Sequence, residues 1–430
     1  MSTPIRPRRP LRPTSLALVA LGVLACLTCN YGEVRIVEPA AKGQGTLTLG
    51  IQPDPEDTAV ARELGWGAGI PAAEVTVSPG NADTATGPPV AVLQTDSAGA
   101  ANVPDLPDGQ YLVEIRRLLT SAEVARLTAG EDVIGFFAKT VVKRGRVTVP
   151  TPASRRHSVV ISEWSFQDLY AGQGLIWYPY GGFLELANNS DTTVYLDGLV
   201  IGLGLAVSDE SVWNYCEMFE AWSDDPDGIW THWFDSLPGT GHTYPLAPGA
   251  VAVIATDAID HSAIVSGGLD LSHADFEFIG ESDADNPTVP NSIRLGPEPD
   301  RLGHGLILSQ TLDAVVFVAL PLDTSALPRQ MLPRTDRVYF RVPRARIVEA
   351  ISLLTTYQIP YPLCPRLVNP NFDRYRARLM VDEPWAPGAG LHSVQRKVAY
   401  IRADGRKILQ HTRTTNADFF WGLRSPGQLP

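Results

Sequence analysis

The residues best suited to ligand recognition lie in one segment of the sequence, residues 209–243. Four of the nine tryptophans fall there, with carboxylates interleaved among them. The candidate ligand-binding residues are Trp213, Trp222, Trp230, Trp233, Asp225 and Asp227. Indole faces beside carboxylates suit a sugar or a cationic ligand, through stacking and hydrogen bonding. The alternative is that the aromatic side chains cover a β-sandwich while the acidic side chains face solvent.

A second group of residues has the chemistry of a metal site. Asp257, Asp260 and His261 are followed by His273 and Asp275. If the two strand ends that carry these side chains converge, imidazoles and carboxylates would suit zinc or iron. The functional hypothesis is then a metal-dependent hydrolase that uses His261 and His273. The alternative is an ordinary succession of strand and turn that holds no metal.

Familiar catalytic motifs are missing from the sequence. It contains no Gly-x-Ser-x-Gly nucleophile turn, no His-Glu-x-x-His pair and no phosphate-binding loop ending in Gly-Lys-Ser/Thr. The one Cys-x-x-Cys spacing is Cys26–Cys29, close to the start of the chain. We therefore expect a protein that is not an enzyme and carries no cofactor.

The start of the chain has the pattern of a bacterial secretion signal. Four arginines and no acidic residue lie in residues 1–14, and an uncharged apolar run from Leu16 to Ala25 follows. Val23-Leu24-Ala25-Cys26 resembles the lipobox of bacterial lipoproteins, which implies cleavage before Cys26 and lipid attachment to its thiol. Leu27 after the cysteine, rather than an aspartate, implies the outer membrane or the cell surface. The alternative is a secreted protein whose signal happens to contain a cysteine.

The cysteines of the folded region raise the question of a disulfide. Only Cys216 and Cys364 lie beyond the first 29 residues. In an oxidising compartment they could form a bond that closes a long loop, which in theory gives a large stabilisation. The alternative is a pair of unbonded, buried thiols that pack as small apolar groups.

Composition narrows the class of protein further. The formal net charge is −12, and removal of the four signal-peptide arginines makes the mature chain more acidic still. An acidic chain argues against nucleic acid as a partner, since phosphate-backbone binding needs clustered lysine and arginine. Proline and glycine together number 73 of 430 residues, because the chain has 36 Pro and 37 Gly. This composition favours a mainly β protein, and the length favours two domains.

Residues 45–150 are predicted to form a first β-sandwich. Thr46–Leu49 and Ala73–Ser78 alternate polar and apolar residues, as strands with one buried face do. Turn signals follow in Thr95-Asp96-Ser97-Ala98-Gly99 and Leu106-Pro107-Asp108-Gly109-Gln110-Tyr111. These two motifs resemble those of the carboxypeptidase-regulatory-like family, which implies a prealbumin-like, Ig-like fold. The resemblance is interrupted at 118–130, where we expect a short helix capped by Thr120 or Ser121 and ended by Gly130.

Residues 154–430 are predicted to form a second β-sandwich with insertions at about 209–243 and 320–392. Its motifs are Ile161-Ser162-Glu163, Glu185-Leu186-Ala187-Asn188-Asn189-Ser190, Leu196-Asp197-Gly198 and Leu246-Ala247-Pro248-Gly249. They resemble the lamin-tail family, which implies an Ig-like sandwich. Residues 250–255 are apolar at every position, which predicts a central strand buried on both faces. Apolar residues spaced i, i+3, i+4 and i+7 predict a helix within residues 344–358.

The order of these parts is similar to that in an uncharacterised bacterial family. Residues 1–25 would be the signal peptide and residues 26–44 a lipidated tether before the two sandwiches and their few short helices. The resemblance implies a non-catalytic binding or adhesion module that is lipid-anchored in the outer membrane or exposed at the cell surface. We expect a glycan or an outer-membrane protein as its partner. The alternative is an accessory subunit of an outer-membrane uptake system.

Overall fold

The computed structural model describes most of the chain after residue 44. The described residues are 45–81, 84–128, 132–165, 169–171, 176–178, 180–204, 222, 225–278, 280, 285–296, 314–331, 337–355, 379–381 and 391–430. Strands dominate these residues and the helices are short, which confirms the predicted mainly β fold. Cys26, Cys216, Cys364 and Trp213 lie outside the described residues, as do the signal peptide and the tether.

The first group of strands forms two sheets that share one core. Its strands are β1 (Gly45–Pro53), β2 (Glu74–Asn81), β3 (Thr84–Ala85), β4 (Ala91–Gln94), β5 (Ala100–Leu106), β6 (Gln110–Leu118), β7 (Val133–Lys143), β8 (Gly145–Thr151) and β9 (Ala153–Arg155). One sheet has the order β5-β1-β8, and the other has the order β3-β2-β6-β7-β9 with β4 beside β2. We call this group the first sandwich.

Alternation places the apolar side chains of the first sandwich between its sheets. Leu47, Leu49 and Ile51 of β1 are completely buried, and so are Val75 and Val77 of β2. All five belong to one cluster of packed side chains. The period of two in the sequence therefore marks the face that each strand turns inward.

The two turn motifs of the first sandwich hold its corners through hydrogen bonds. The Thr95 hydroxyl donates to the carbonyl of Ile70 over 2.7 Å, and a carboxylate oxygen of Asp96 accepts from the amide of Ala98. Gly99 has a φ of 77°, which only glycine adopts readily. The Tyr111 hydroxyl donates to the carbonyl of Pro107 over 2.8 Å. The residues that carry the resemblance thus have structural roles.

Short helices punctuate the strands. They are α1 (Thr58–Glu63), α2 (Ser121–Val124) and α3 (Thr415–Asp418), with single 3-10 turns at Pro55–Asp57, His261–Ala263, Thr324–Ala326 and Arg344–Arg346. The predicted helix after residue 118 is α2, where Thr120 and Glu123 form a capping box. Gly130 lies outside the described residues. In the described part of the chain, no helix has both the length and the apolar character needed to cross a membrane.

The second group of strands also forms two large sheets, with a few small ones. The strands are β10 (Val159–Ser165), β11 (Leu169–Ala171), β12 (Ile176–Tyr178), β13 (Phe183–Asn188), β14 (Val194–Tyr195), β15 (Val200–Gly204), β16 (Gly228–Ser236), β17 (Pro245–Leu246), β18 (Val251–Ala255), β19 (Phe276–Glu277), β20 (Ile293–Arg294), β21 (Ala314–Ala319), β22 (Arg329–Met331), β23 (Val338–Pro343), β24 (Ile347–Thr355), β25 (Leu379–Val381), β26 (His392–Arg396), β27 (Val398–Ile401), β28 (Lys407–Leu409) and β29 (Phe419–Leu423). We call this group the second sandwich.

The two large sheets of the second sandwich face each other across a core. One sheet has the order β19-β18-β13-β10-β26-β29, and the other has the order β22-β23-β16-β15-β21-β24-β25 with β20 beside β16. Strand β18 is central and buried on both faces, as predicted. Its Ile254 packs in the core between the sheets, whereas Val253 packs in a separate cluster on the opposite face.

The helix predicted within residues 344–358 is wrong. After a single 3-10 turn, Ile347–Thr355 forms strand β24, which pairs with β21 and β25. Ile351 packs in the core between the sheets, and Ala350 packs in the cluster on the outer face. A strand that is buried on both faces carries apolar residues at odd and even positions, so helical spacing arises without a helix.

The two sandwiches contact each other, and residues 45–430 form one compact unit. Ile134 and Phe137 of the first sandwich pack with Ala399 and Ile408 of the second. Nearby, Arg116 donates from Nη2 to the carbonyl of Ala399 over 2.7 Å. The junction therefore combines an apolar cluster with polar contacts at its margin.

Candidate binding site

Strands β16 and β23 position the aromatic and charged side chains of the candidate site. They pair antiparallel, with Trp230 opposite Arg341 and Gly228 opposite Pro343. Val342 and Ile229 pack in the cluster on the outer face of the sheet. Trp230 and Arg341 alternate with these two residues along their strands, so they project to the other face.

Aromatic rings form a continuous row along this face. Trp222 stacks on Trp230, with ring centroids 5.0 Å apart and planes 22° from parallel. Trp222 also contacts Tyr339 at 5.8 Å, and His232 lies 5.3 Å from Tyr339 and 5.7 Å from Trp233. We call these five side chains the aromatic row.

Ion pairs fix one end of the aromatic row. Asp225 Oδ2 accepts a hydrogen bond from Trp230 Nε1 over 2.8 Å and lies 3.3 Å from Arg341 Nη1. Asp227 Oδ2 lies 3.5 Å from the same Arg341 nitrogen. The Arg341 guanidinium carbon is 5.9 Å from the centre of the Trp230 ring. At the other end, Arg337 lies at the same distance from the Trp233 ring.

Burial differs along the row. Trp222 and Trp230 are each 8% exposed, so their ring faces are covered, and Trp233 and His232 are half-buried. Asp227 is the most open of the charged groups, with 73% of its side chain exposed. The structure therefore brings together Trp222, Trp230, Asp225 and Asp227 around Arg341, with Trp233 further along the row.

The five residues of the predicted metal site do not converge. His261 is completely buried, and its ring nitrogens lie 2.8 Å from the carbonyl oxygen of Asp257 and 2.7 Å from the Tyr178 hydroxyl. His273 is exposed, and Asp275 Oδ2 accepts from the amide of Val253. Across the described residues, no group of three or more His, Cys, Asp or Glu side chains is arranged to hold a metal ion.

His261 instead has the environment of a structural residue. Burial lowers its pKa, so the ring is neutral near pH 7. Burial also raises the pKa of Tyr178 to about 12. A neutral imidazole with both nitrogens engaged at hydrogen-bonding distance ties the loop at 257–261 to strand β12.

Two buried carboxylates of the second sandwich hold the end of the chain. Glu163 and Glu185 are opposite each other on β10 and β13 and are fully buried. Glu163 Oε1 accepts from the amide of Ser425 over 2.9 Å, and Glu185 Oε2 accepts from the amide of Gly427 over 2.7 Å. The Ser162 hydroxyl donates to Glu185 over 2.6 Å.

This polar cluster gives a structural role to residues of the lamin-tail resemblance. Ser162, Glu163 and Glu185 belong to the lamin-tail resemblance, and Ser425 and Gly427 belong to the end of the chain. Burial, with a smaller contribution from the neighbouring Glu163 charge, raises the pKa of Glu185 to about 7, although hydrogen bonds from Ser162 and Gly427 act to lower it. The raised pKa here follows from packing and needs no catalytic role.

A second buried charge network was missed by the sequence analysis. Arg396 is completely buried and donates from Nη2 to Glu349 Oε2 over 2.5 Å, while its Nε donates to the carbonyl of Ile161 over 2.6 Å. His411 Nε2 lies 3.3 Å from the same Glu349 oxygen. The attraction of Arg396 and His411 outweighs burial and lowers the pKa of Glu349 to about 2. These residues are far apart in the sequence, so only an acidic or basic residue in an otherwise apolar strand could have signalled them.

Comparison with known proteins gives a match over part of the chain and a similar fold. Residues 247–328 match the model of a protein family of unknown function, DUF4876. No curated protein matches the sequence. The fold is similar to the crystal structure of a DUF4876 family protein from Bacteroides thetaiotaomicron VPI-5482, with a TM-score of 0.50 and 15% sequence identity over 90% of this chain and 98% of that chain. The family match covers residues 247–328, and the structural similarity shows the fold alone.

Proposed function

We propose that the protein is a lipid-anchored envelope protein that binds glycans without catalysing a reaction. The observation that carries the proposal is the aromatic row on β16 and β23, bordered by Asp225, Asp227 and Arg341. Aromatic rings beside charged hydrogen-bonding groups suit a sugar, because its C–H faces stack on rings and its hydroxyls bond to the charged groups.

A sugar fits this surface better than a cationic ligand does. The guanidinium groups of Arg341 and Arg337 already lie over the rings of Trp230 and Trp233. They occupy the positions that a ligand cation would take in a cation–π contact, and they would repel it. Arg341 also engages the nearby carboxylates that would attract such a ligand.

The accessible margin of the row supplies the contacts of the proposed site. Since Trp222 and Trp230 are 8% exposed, they serve to hold the neighbouring groups in place. Trp233 and His232 are half-buried, and Asp227 is exposed. A sugar ring would therefore stack against Trp233 and hydrogen-bond to the charged groups.

Binding to envelope glycans tests the proposal. Purified protein is assayed against lipopolysaccharide oligosaccharides and capsular polysaccharide by calorimetry. We expect Trp233→Ala or Asp227→Ala to weaken binding about tenfold, near the 1.4 kcal/mol of one good contact. Tyr195→Ala and Asp404→Ala are matched controls, since both side chains are exposed elsewhere on the second sandwich. Unchanged affinity in both test variants would contradict a site on this surface.

The proposed location rests on the lipobox resemblance at Cys26, and it has its own test. Cells expressing the full chain are grown with labelled palmitate, and membranes are separated by centrifugation. We expect label in the wild-type protein and none in a Cys26→Ser variant. We also expect the Cys26→Ser variant to be absent from the membrane fraction. Several acyl chains give stable anchoring because each buried methylene contributes roughly 0.8 kcal/mol. A Cys26→Ser variant that still sediments with membranes would refute the anchor.

A further inference from the structure

A small cavity lies where the chain passes from the first sandwich to the second. Its volume is about 150 Å³, and its polar lining consists of His157, Arg344, Glu349, His411 and Arg413. Beside it, the amide of Arg155 donates to the carbonyl of His411 over 3.0 Å, so the last strand of the first sandwich is fixed to one wall. Pockets for drug-sized ligands have volumes of roughly 300 Å³ or more. This cavity therefore suits a ligand of only a few heavy atoms.

The acidic group in the lining is already engaged. Glu349 is 5% exposed and is paired with the buried Arg396, at 2.5 Å from Oε2 to Nη2. The Arg396 guanidinium, which does not line the cavity, therefore balances the negative charge of Glu349. The remaining polar lining groups, His157, His411, Arg344 and Arg413, are basic.

Two of these basic groups are available to a ligand. Within the part of the chain that the structure describes, Arg344 has no carboxylate within 4.0 Å, and its residue is exposed. His157 contacts the His411 ring, with centroids 4.0 Å apart, and has no hydrogen-bond partner among the described residues. An imidazole without a partner and a guanidinium that line the same cavity are groups to which an anion can bind.

Hydrogen bonds of the neighbouring residue hold the backbone at Arg413. Its φ of 58° lies in the left-handed region that residues other than glycine rarely adopt. Asp418 holds this conformation, because its carboxylate accepts from the amide of Thr412 over 2.7 Å and from the Thr412 hydroxyl over 2.9 Å. A strained backbone held by buried hydrogen bonds gives a preorganised wall.

We propose that this cavity binds a small oxyanion, either a phosphate or a carboxylate. Guanidinium and imidazole N–H groups form strong, charge-assisted hydrogen bonds to such oxygens. His411, Glu349, Arg396 and Arg413 are the charged or titratable groups that act on His157. Repulsion from His411 and burial lower the pKa of His157 to about 3. A bound anion would offset both effects, so anion binding and protonation of His157 reinforce each other.

Titration of the full chain with inorganic phosphate and with acetate tests the proposal. The ionic strength is kept constant with sodium chloride, and binding is measured by calorimetry and by the ring signals of His157 and His411 in NMR spectra. We expect one of the two anions to shift both ring signals and to raise the apparent pKa of His157. The anion that binds more tightly identifies the ligand as phosphate-like or carboxylate-like.

Variants distinguish a specific binding site from a general attraction of anions to positive charge on the protein. We expect Arg344→Ala to weaken binding at least tenfold, while Arg146→Ala, at an exposed arginine of the first sandwich, leaves it unchanged. Arg344 is exposed, so its loss leaves the fold intact, which a thermal unfolding curve checks. The proposal is overturned if neither anion shifts the His157 signal, or if Arg344→Ala binds as tightly as the wild type.

Discussion

At the scale of single residues, the surroundings of a buried carboxylate decide its charge. Glu185 faces hydroxyl and amide donors and a second carboxylate, and burial raises its pKa to about 7. Glu349 is equally enclosed but lies beside Arg396 and His411, and its pKa falls to about 2. The two groups share burial and differ in the sign of the nearest charge. The protonation of Glu185 therefore changes close to neutral pH.

We expect the wild-type protein to lose stability as the pH rises from 4.5 to 7, and we expect Glu185→Gln to abolish this loss. In this window the unfolded chain has released the proton of Glu185 while the folded protein keeps it. The folded state therefore binds more protons, and the free energy of unfolding falls as the pH rises. A pKa raised from 4.5 to about 7 makes this loss roughly 3 kcal/mol, at 1.36 kcal/mol per pKa unit.

Urea unfolding at pH 4, 6 and 8 measures this effect. The free energy of unfolding of the Gln variant, relative to wild type, should rise by about 3 kcal/mol from pH 4 to pH 8. Glu74→Gln, at an exposed position on β2, is the matched control and should follow the wild type. A difference that stays constant with pH would contradict the raised pKa.

At the scale of secondary structure, β16 and β23 carry the aromatic row because one glycine lets them approach. A Cβ atom added to Gly228 would lie 2.2 Å from the carbonyl oxygen of Val342, a distance that no real contact tolerates. The oxygen belongs to the backbone, so it cannot move aside as a flexible side chain would. The spacing of Trp230 and Arg341 across the two strands therefore depends on this glycine.

We expect Gly228→Ala to lower the free energy of unfolding by about 1–3 kcal/mol, the usual cost of overpacking a well-packed site. It should also alter the near-ultraviolet circular dichroism of the Trp222–Trp230 stack, because the strand that carries Trp230 must shift. Gly109→Ala is the control, since an added Cβ there meets no atom within 4 Å. If the two variants have the same stability and spectrum, the close approach has no energetic role.

Strands and turns could be predicted from the sequence where the pattern that encodes them lies within a few neighbouring residues. The alternation in β1 and the turns at Gly99 and Tyr111 follow from neighbouring residues, and the structure shows both. Strand β24 was predicted wrongly because its two faces pack in different clusters, which produced helical spacing. The β-branched residues Ile347, Val348 and Ile351 favour a strand and were the better signal.

At the scale of the whole molecule, the sequence predicted two sandwiches but left open whether they touch. The contacts at the junction join residues far apart in the chain. Arg116 bonds to Ala399 across 283 residues, and Lys397 pairs with Glu114 over the same separation. No local pattern encodes such pairs, and the same holds for Arg396 and Glu349. The aromatic row was foreseeable from tryptophan density, whereas its burial depended on packing.

Because of the apolar contact at the junction, we expect the two sandwiches to unfold as a single unit. Ile408 of the second sandwich is completely buried against Ile134 and Phe137 of the first. Truncating a buried isoleucine to alanine costs about 2–5 kcal/mol, through lost apolar burial and the cavity left behind. Because the truncated side chain supports both sandwiches, we expect Ile408→Ala to destabilise both by a similar amount.

Native-state hydrogen exchange measures this coupling. The amide of Leu49 in β1 reports on the first sandwich, and that of Val253 in β18 reports on the second. In Ile408→Ala both should lose protection together, since core amides exchange through global opening when a protein unfolds as one unit. Ile401→Ala, at a neighbouring residue that is 62% exposed, should leave both unchanged. Loss of protection at Val253 alone would mean that the sandwiches unfold independently, and the junction would then be a contact between two separate domains.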